Sequence, residues 1–318
     1  MIKPILKAAL MSSVLLAGFS QAADFTLKFG YPVNNQNIWG KAAIKFKQVA
    51  EQESHGRIKV KLYPNEQLGK EMDVINSIQL GTADMTITGE SLQNWAPKAA
   101  LLAVPYAITS SKQMKQVVDG EVGKEIKQQI EQRTGLKPIA WFERGPRYLT
   151  SNRKIIEPSD LDGLKLRVPN VPLFVKVWQK LGAKPIPMAF SEVFTALQQH
   201  TIDAQENPLS LINSASFYEV QKYVDLTGHV RSWIYVVIGQ DKFNSMPKDL
   251  QAVVLDAAKK MQNYEHSMFA SDEANLRKTL EKHGMIFVKS DVAAFKAKAK
   301  EAVKESLTPE QLALYNKI

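Results

Sequence analysis

The chain has 318 residues, 45% hydrophobic and 23% charged, with no cysteine and a formal charge of +9. This is a globular composition, long enough for one large or two mid-sized domains with real cores, and disulfide staples are excluded. The positive charge is scattered in pairs such as Lys45/Lys47 and Lys259/Lys260 with acids between; no basic run carries interleaved aromatics, which argues against a nucleic-acid binder.

The first 22 residues, MIKPILKAALMSSVLLAGFSQA, have the form of a cleavable export signal. Lys3 and Lys7 precede a short apolar stretch from Ala8 to Phe19, and Ser20-Gln21-Ala22 supplies small residues at the cleavage positions. The stretch is too short to span a membrane. Losing Lys3 and Lys7 with it takes the charge to +7. The expected product is soluble and exported, and without cysteine it has no lipid-attachment residue.

Strand and helix signals then alternate. Phe25, Leu27 and Phe29 alternate with polar residues as a first strand, and Ile38, Ala42, Phe46, Val49 and Ala50 follow helical spacing. Ile58, Val60 and Leu62 alternate again up to Tyr63-Pro64. Met72, Ile75 and Ile78 mark a helix closed by Gly81, and Ala83–Thr88 is strand-like. This rhythm predicts an α/β domain with a largely parallel sheet.

A second α/β unit follows. Leu136–Phe142 and Arg147–Thr150 read as separate strands, then Leu164–Val168. Asn170 is placed to cap a helix that tolerates Pro172 in its first turn, buries Phe174, Val177 and Leu181, and ends at Gly182. Lys184–Met188 is extended, and Ser191 is placed to cap a short helix through Val193, Phe194 and Leu197. Trp233–Ile238 is an apolar strand. From Pro247 to His283 the spacing stays helical, about 35 residues or roughly 50 Å, long enough to run along both domains. Thr308-Pro309-Glu310-Gln311 is a capping box with proline at the first helical position. The expected division puts 23–144 with about 233–272 in one domain and 145–232 with about 273–318 in the other, with a ligand cleft between them.

Catalytic signatures are missing: there is no GxSxG, no glycine-rich phosphate loop and no GxGxxG. The five histidines (His55, His200, His229, His266, His283) lack metal-ligand spacing. His229 lies where it can reach the cleft, although a surface or satisfied histidine is the better reading. No cofactor and no metal are expected.

The positive signal is a set of segments in order: GPRYLTSNR (Gly145–Arg153), GLKLRVPN (Gly163–Asn170), PMAFSEVFTALQ (Pro187–Gln198) and DAQENP (Asp203–Pro208), with LYPNEQLG (Leu62–Gly69) and FYEVQKY (Phe217–Tyr223) outside them. Together they closely resemble the substrate-binding proteins of TRAP transporters, the tripartite ATP-independent periplasmic systems for organic acids, over nearly the whole chain. The resemblance implies a two-domain α/β periplasmic binding protein of the Venus-flytrap type, with a long helix spanning both domains, no enzymatic activity, and a membrane-embedded permease as partner. A monomer is expected.

Residue by residue, the resemblance makes Arg167 the carboxylate clamp, Arg147 a second arginine assisting it, and Asn207 the amide completing the carboxylate site. It makes Glu90 a polar contact to the ligand body, and Asn170 and Phe190 lining residues. The chemistry suits those roles, since guanidinium is planar, charged and forked and holds a carboxylate by two parallel bonds. From spacing alone each has a plainer reading: Arg167 as a solvent-face charge, Arg147 as a turn residue, Asn207 and Asn170 as helix caps, Glu90 as an acceptor within its loop, Phe190 as core.

Trp39, Trp95, Trp141 and Trp233 offer flat faces for a sugar ring or simply fill cores. The sialic-acid branch resembles the chain from Ser151 to Tyr223, but the loops Tyr31–Asn35 and Lys70–Asp73 depart from its pattern. The expected ligand is a hexuronate or related six-carbon sugar acid, ahead of sialic acid and a C4-dicarboxylate. The competing class is an exported sugar-acid lyase or isomerase using Glu90 or His229 as base.

Overall fold

The computed structural model describes residues 23–318; the expected export signal lies outside the described residues. The chain runs β1 (Phe25–Gly30), α1 (Ile38–Glu53), β2 (Ile58–Tyr63), α2 (Glu71–Gln79), β3 (Met85–Thr88), α3 (Ser111–Asp119), α4 (Glu121–Thr134) and β4 (Leu136–Ser151). It continues through β5 (Lys165–Val168), α5 (Pro172–Leu181), β6 (Lys184–Pro187), α6 (Val193–Gln198), β7 (Ala204–Asn207), α7 (Leu209–Ser214) and β8 (Tyr223–Gly239). It ends with α8 (Gln240–Ser245), α9 (Lys248–Lys282), β9 (Ile286–Val288), α10 (Val292–Ser306) and α11 (Pro309–Tyr315).

The strands form a mixed sheet in the order β2-β1-β3-β8-β4-β7-β5-β6, with β9 also against β8. A first lobe gathers around β1, which pairs parallel with β2 and β3. A second gathers around β5, parallel to β6 and β7. The long strands β4 and β8 pair antiparallel from Leu136↔Gly239 to Ser151↔Tyr223 and so pass through both lobes.

The sequence patterning explains much of this. Leu27 and Phe29 of β1 and Ile58 and Val60 of β2 are buried as the alternation requires. Asn37 caps α1, its side chain accepting from the Trp39 amide at 2.9 Å. Gly182 ends α5 with φ at 113°, which only glycine adopts cheaply. Thr308 and Gln311 form the expected capping box.

Five local expectations are corrected. Leu136–Phe142 and Arg147–Thr150 are halves of one 16-residue strand, because the intervening Gly145-Pro146 is a bulge and not a turn. The strand expected at Trp233–Ile238 begins ten residues earlier, at Tyr223; its first half hid because it buries polar side chains such as Thr227 and His229. Asn170 does not cap α5, since Pro172 occupies the first helical position and makes Val171 the N-cap. Ser191 sits inside a short 3-10 turn, and Asn207 precedes the actual cap of α7, Pro208.

Helix α9 has 35 residues, about 52 Å at about 1.5 Å each. Leu250, Val254, Ala257 and Met261 pack into the first-lobe core beside α1, while Leu276 and Leu280 join the second-lobe core with Val193 and Phe217. The opposite sheet face carries a continuous core across both lobes, from Ile75 and Ile126 to Phe174 and Phe295. Helix α11 leaves the second lobe: Gln311 Nε2 donates to Pro97 O at 2.8 Å and Lys317 bonds Glu121 at 2.9 Å, residues the sequence division put in the other lobe.

Candidate functional site

A cavity of about 180 Å³ lies between the lobes, and all six expected residues, Arg167, Arg147, Asn207, Glu90, Asn170 and Phe190, line it. The cleft is shut. Lys70 Nζ bonds Glu192 Oε1 at 2.6 Å, Asn94 Nδ2 donates to Asn170 O at 2.9 Å, and the Leu173 amide donates to Gln93 Oε1 at 3.1 Å. Asn34 and Asn37 reach the carbonyls of Ser214 and Ser210, each at 3.3 Å.

Strand β4 supplies two arginines to the cavity. In a regular strand, residues three apart face opposite ways. Here Arg144 pairs with Ser232 and Arg147 with Val230, so three steps on β4 match two on β8. The extra residue is a β-bulge, and it turns Arg147 to the face Arg144 occupies. Pro146 fits there because an interrupted ladder needs no N–H from it. Gly145 leaves room for α9: a Cβ there would sit 2.6 Å from the Glu273 carboxylate, the movable tip of that side chain, which would have to shift.

Arg147 is buried and held by Glu206. Its Nε meets Glu206 Oε2 at 2.5 Å, its Nη2 meets Oε1 at 2.6 Å and the Glu206 carbonyl at 2.8 Å, and its Nη1 lies 3.5 Å from Glu90 Oε1. Burial raises the Glu206 carboxyl, but Arg147 and then His229 outweigh it and bring it down to about 2. His229 is buried behind this pair, with Nε2 at 2.9 Å from Glu206 Oε2, Nδ1 at 2.9 Å from Thr227 Oγ1, and its ring edge-on to Trp178. It is an internally satisfied histidine and does not line the cavity. Burial lowers its pKa.

Arg167 differs. The end of β5 places it inside, 3% exposed, which corrects the solvent-face reading. Its Nε and Nη2 both donate to Met188 O, at 3.0 and 2.6 Å, and among the described residues no carboxylate forms a salt bridge with it. Burial lowers its pKa to about 10, Glu206 offsets part of that, and Arg147 adds to it. It is therefore a charged guanidinium at neutral pH, in a cavity, without an ion-pair partner.

Asn207, at the end of β7, gives Nδ2 to Gln205 Oε1 at 2.7 Å, leaving its second amide hydrogen and its carbonyl oxygen. Glu90 opens a 3-10 turn after β3 and is ion-paired with Arg144 and more loosely with Arg147. Burial raises the Glu90 carboxyl, and Arg144 followed by Arg147 outweighs it, so it stays below the usual range. Phe190 is half-buried, edge-on to Phe217 with centroids 5.9 Å apart. Asn170 is exposed at the mouth.

Two groups escaped sequence reasoning. Arg144 is buried against Trp39, its guanidinium carbon 5.9 Å from the ring centroid; the only pointer was an arginine on the other side of Gly145-Pro146 from Arg147. Glu71, at the start of α2, accepts from Thr88 Oγ1 at 2.7 Å and Ser91 Oγ at 2.8 Å, and burial, then Glu90, raises its pKa. Of the four tryptophans considered as sugar-ring faces, Trp39 lines the cavity, while Trp95, Trp141 and Trp233 do not. Among the described residues no His/Asp/Glu cluster is arranged to hold a metal, and no helix is long and apolar enough to cross a membrane.

Two α/β lobes joined by through-running strands, closed on a cavity with an unpaired cation, define the class: a binding protein for a small anion. The chain belongs to the bacterial extracellular solute-binding proteins, family 7, matched over residues 29–310, which bears out the resemblance drawn from its motifs. Members are solute-binding proteins of TRAP transporters, transport proteins and not enzymes, that act on small organic acids with a membrane permease. The chain is 56% identical to solute-binding protein RD1_1052 of Roseobacter denitrificans, over 95% of this chain and 92% of that one. The crystal structure of that TRAP periplasmic solute-binding protein, with bound L-galactonate, superposes with a TM-score of 0.92 at 54% identity, covering 93% of this chain and 99% of that one. The 2,3-diketo-L-gulonate-binding periplasmic protein YiaO of Escherichia coli is 36% identical over 82% of this chain and 80% of its own. A TRAP solute-binding protein of Haemophilus influenzae with bound L-gulonate gives a TM-score of 0.86 at 32% identity, covering 92% and 98%.

Proposed function

We propose that this chain is a periplasmic receptor that captures a six-carbon sugar acid, with L-galactonate the leading candidate, by hinge closure and delivers it to a TRAP permease. The observation that carries the proposal is Arg167, a buried cation in a shut cavity without a protein carboxylate to pair with. A ligand carboxylate completes its charge through the remaining N–H groups, and Asn207 supplies an amide beside it. Arg147, saturated by Glu206, fixes the field around that carboxylate more than it contacts it. Glu90 meets the ligand body, and Asn170 and Phe190 close the mouth. L-Galactonate belongs to the six-carbon acids expected from sequence, and its binding by the 56% identical Roseobacter protein supports it.

Closure brings 23–144 with about 233–272 and α11 against 145–232 with about 273–308, bending where β4 and β8 pass between the lobes. The protein acts as a monomer in the periplasm after its first 22 residues are removed. A thermal-shift screen of the mature protein against L-galactonate, galacturonate, gulonate, sialic acid and succinate tests the proposal. The largest stabilisation is expected for a six-carbon acid, with the ligand recovered unchanged after prolonged incubation. No shift with any sugar acid, or turnover of one, refutes it.

A further inference from the structure

Three arginines enter one cavity and the protein satisfies them unequally. Arg147 has both outer edges filled, and Arg167 is turned toward Met188 O. Arg144 makes one hydrogen bond, from Nη1 to Glu90 Oε2, although it is 6% exposed; its Nε is buried with no partner among the described residues. Trp39 covers its face and Ile87 and Ile234 line the cavity beside it, so water is a poor substitute acceptor there. A buried guanidinium with most of its N–H groups idle calls for an acceptor. Glu90 already balances its charge, and Glu71 adds a second carboxyl on the same wall. The first-lobe wall therefore offers a donor and an acceptor side by side with no spare positive charge.

We infer that the Arg144–Glu90 pair is the selectivity element of the cavity: it reads neighbouring hydroxyls of a polyhydroxylated monocarboxylate and rejects an acid carrying a second carboxylate. Arg144 donates to one hydroxyl oxygen and Glu90 accepts from the next. A second carboxylate brought to this wall meets Glu90 and Glu71 and finds the Arg144 charge already balanced by Glu90. The inference rests on the receptor reading, because Arg167 must anchor the first carboxylate.

The test uses two ligands that differ at one terminal group, L-galactonate and galactarate, in which the terminal CH2OH is a second carboxylate. Isothermal titration, with competition for the weaker ligand, gives their affinity ratio for the mature protein and for Glu90→Gln and Arg144→Gln. The protein itself is expected to favour L-galactonate by about a hundredfold. Glu90→Gln frees Arg144 for the second carboxylate and narrows that ratio at least about tenfold, whereas Arg144→Gln leaves Glu90 with only its looser pairing to Arg147 and widens it. A purely structural role weakens both ligands alike and leaves the ratio in place. Ligand-free melting identifies a variant that fails to fold, in which case the other variant decides. An unchanged ratio in the folded variants, or equal affinity of the parent protein for both acids, overturns the inference while leaving the receptor reading standing. Binding of neither acid by the parent protein overturns the inference, and the receptor reading falls with it when the thermal-shift screen finds no sugar acid that binds.

Discussion

Replacing Arg167 with alanine tests the anchor directly. The wild-type side chain is 3% exposed and gives two bonds to Met188 O, so its removal acts on ligand and protein separately. The ligand carboxylate is left in a closed cavity without its cation, a loss of about 3–5 kcal/mol, or about 150- to 5,000-fold in Kd. Arg167→Lys keeps the charge and loses the fork, which removes about one charge-assisted bond, about 1.5–3 kcal/mol. The order is therefore wild type, lysine, alanine, with the first step at least about tenfold. Met188 O borders the cavity and rehydrates when the guanidinium goes, so ligand-free melting falls by at most a few degrees. Isothermal titration of L-galactonate into each form at neutral pH, with melting measured alongside, separates the two effects. An alanine variant within about threefold of wild type, folded and closing normally, would mean that the anion is held elsewhere.

Other predictions use different parts of the cleft. The Lys70–Glu192 bridge crosses the mouth with both side chains about half exposed (48% each), so Lys70→Ala is expected to weaken binding by no more than about a few-fold. That loss disappears in about 1 M salt, and titration at low and high salt checks it; a loss indifferent to salt contradicts it. Asn207→Asp adds an anion to the cavity that Arg167 lines, and is expected to abolish binding of L-galactonate while the ligand-free protein melts no lower. Retained affinity would show that Asn207 lies outside the carboxylate site. Burial raises the Glu273 carboxyl from 4.5 to about 7. With the folded value above the unfolded one, its stabilisation is complete below about pH 4.5 and is lost progressively as pH rises to about 7. Glu273→Gln is expected to remove that part of the pH dependence, at most about 3 kcal/mol, in urea unfolding at pH 5 and 7.5. Parallel pH dependences for the two proteins would refute it.

The regular parts of the fold were legible because their burial follows a period. β1, α1, β2 and α9 alternate or repeat as their packing demands, and α9 ends within a residue or two of Pro247 and His283. What the pattern concealed were places where a local rule is broken to build the cavity. Gly145-Pro146 has turn composition yet lies inside a strand, because β8 continues past it on the other side. Thr227 and His229 interrupt an apolar run and are nevertheless buried, since Glu206 satisfies the histidine. The six expected cavity residues were found through motif resemblance; alternation alone put Arg167 in solvent. Arg144 was out of reach of both, as its position depends on a register shift that no residue type announces.

An odd count separates the two guanidinium-bearing positions of β4, and only the interruption between them makes that count equivalent to an even one. Deleting one residue there restores the regular pleat and sends one of the two cations to the back of the sheet, with every remaining side chain unchanged. Chain length at this point is thus a charge setting for the pocket. Relatives aligned with a gap at 145–146 would carry a different number of positive groups inside, whatever their residue-by-residue identity.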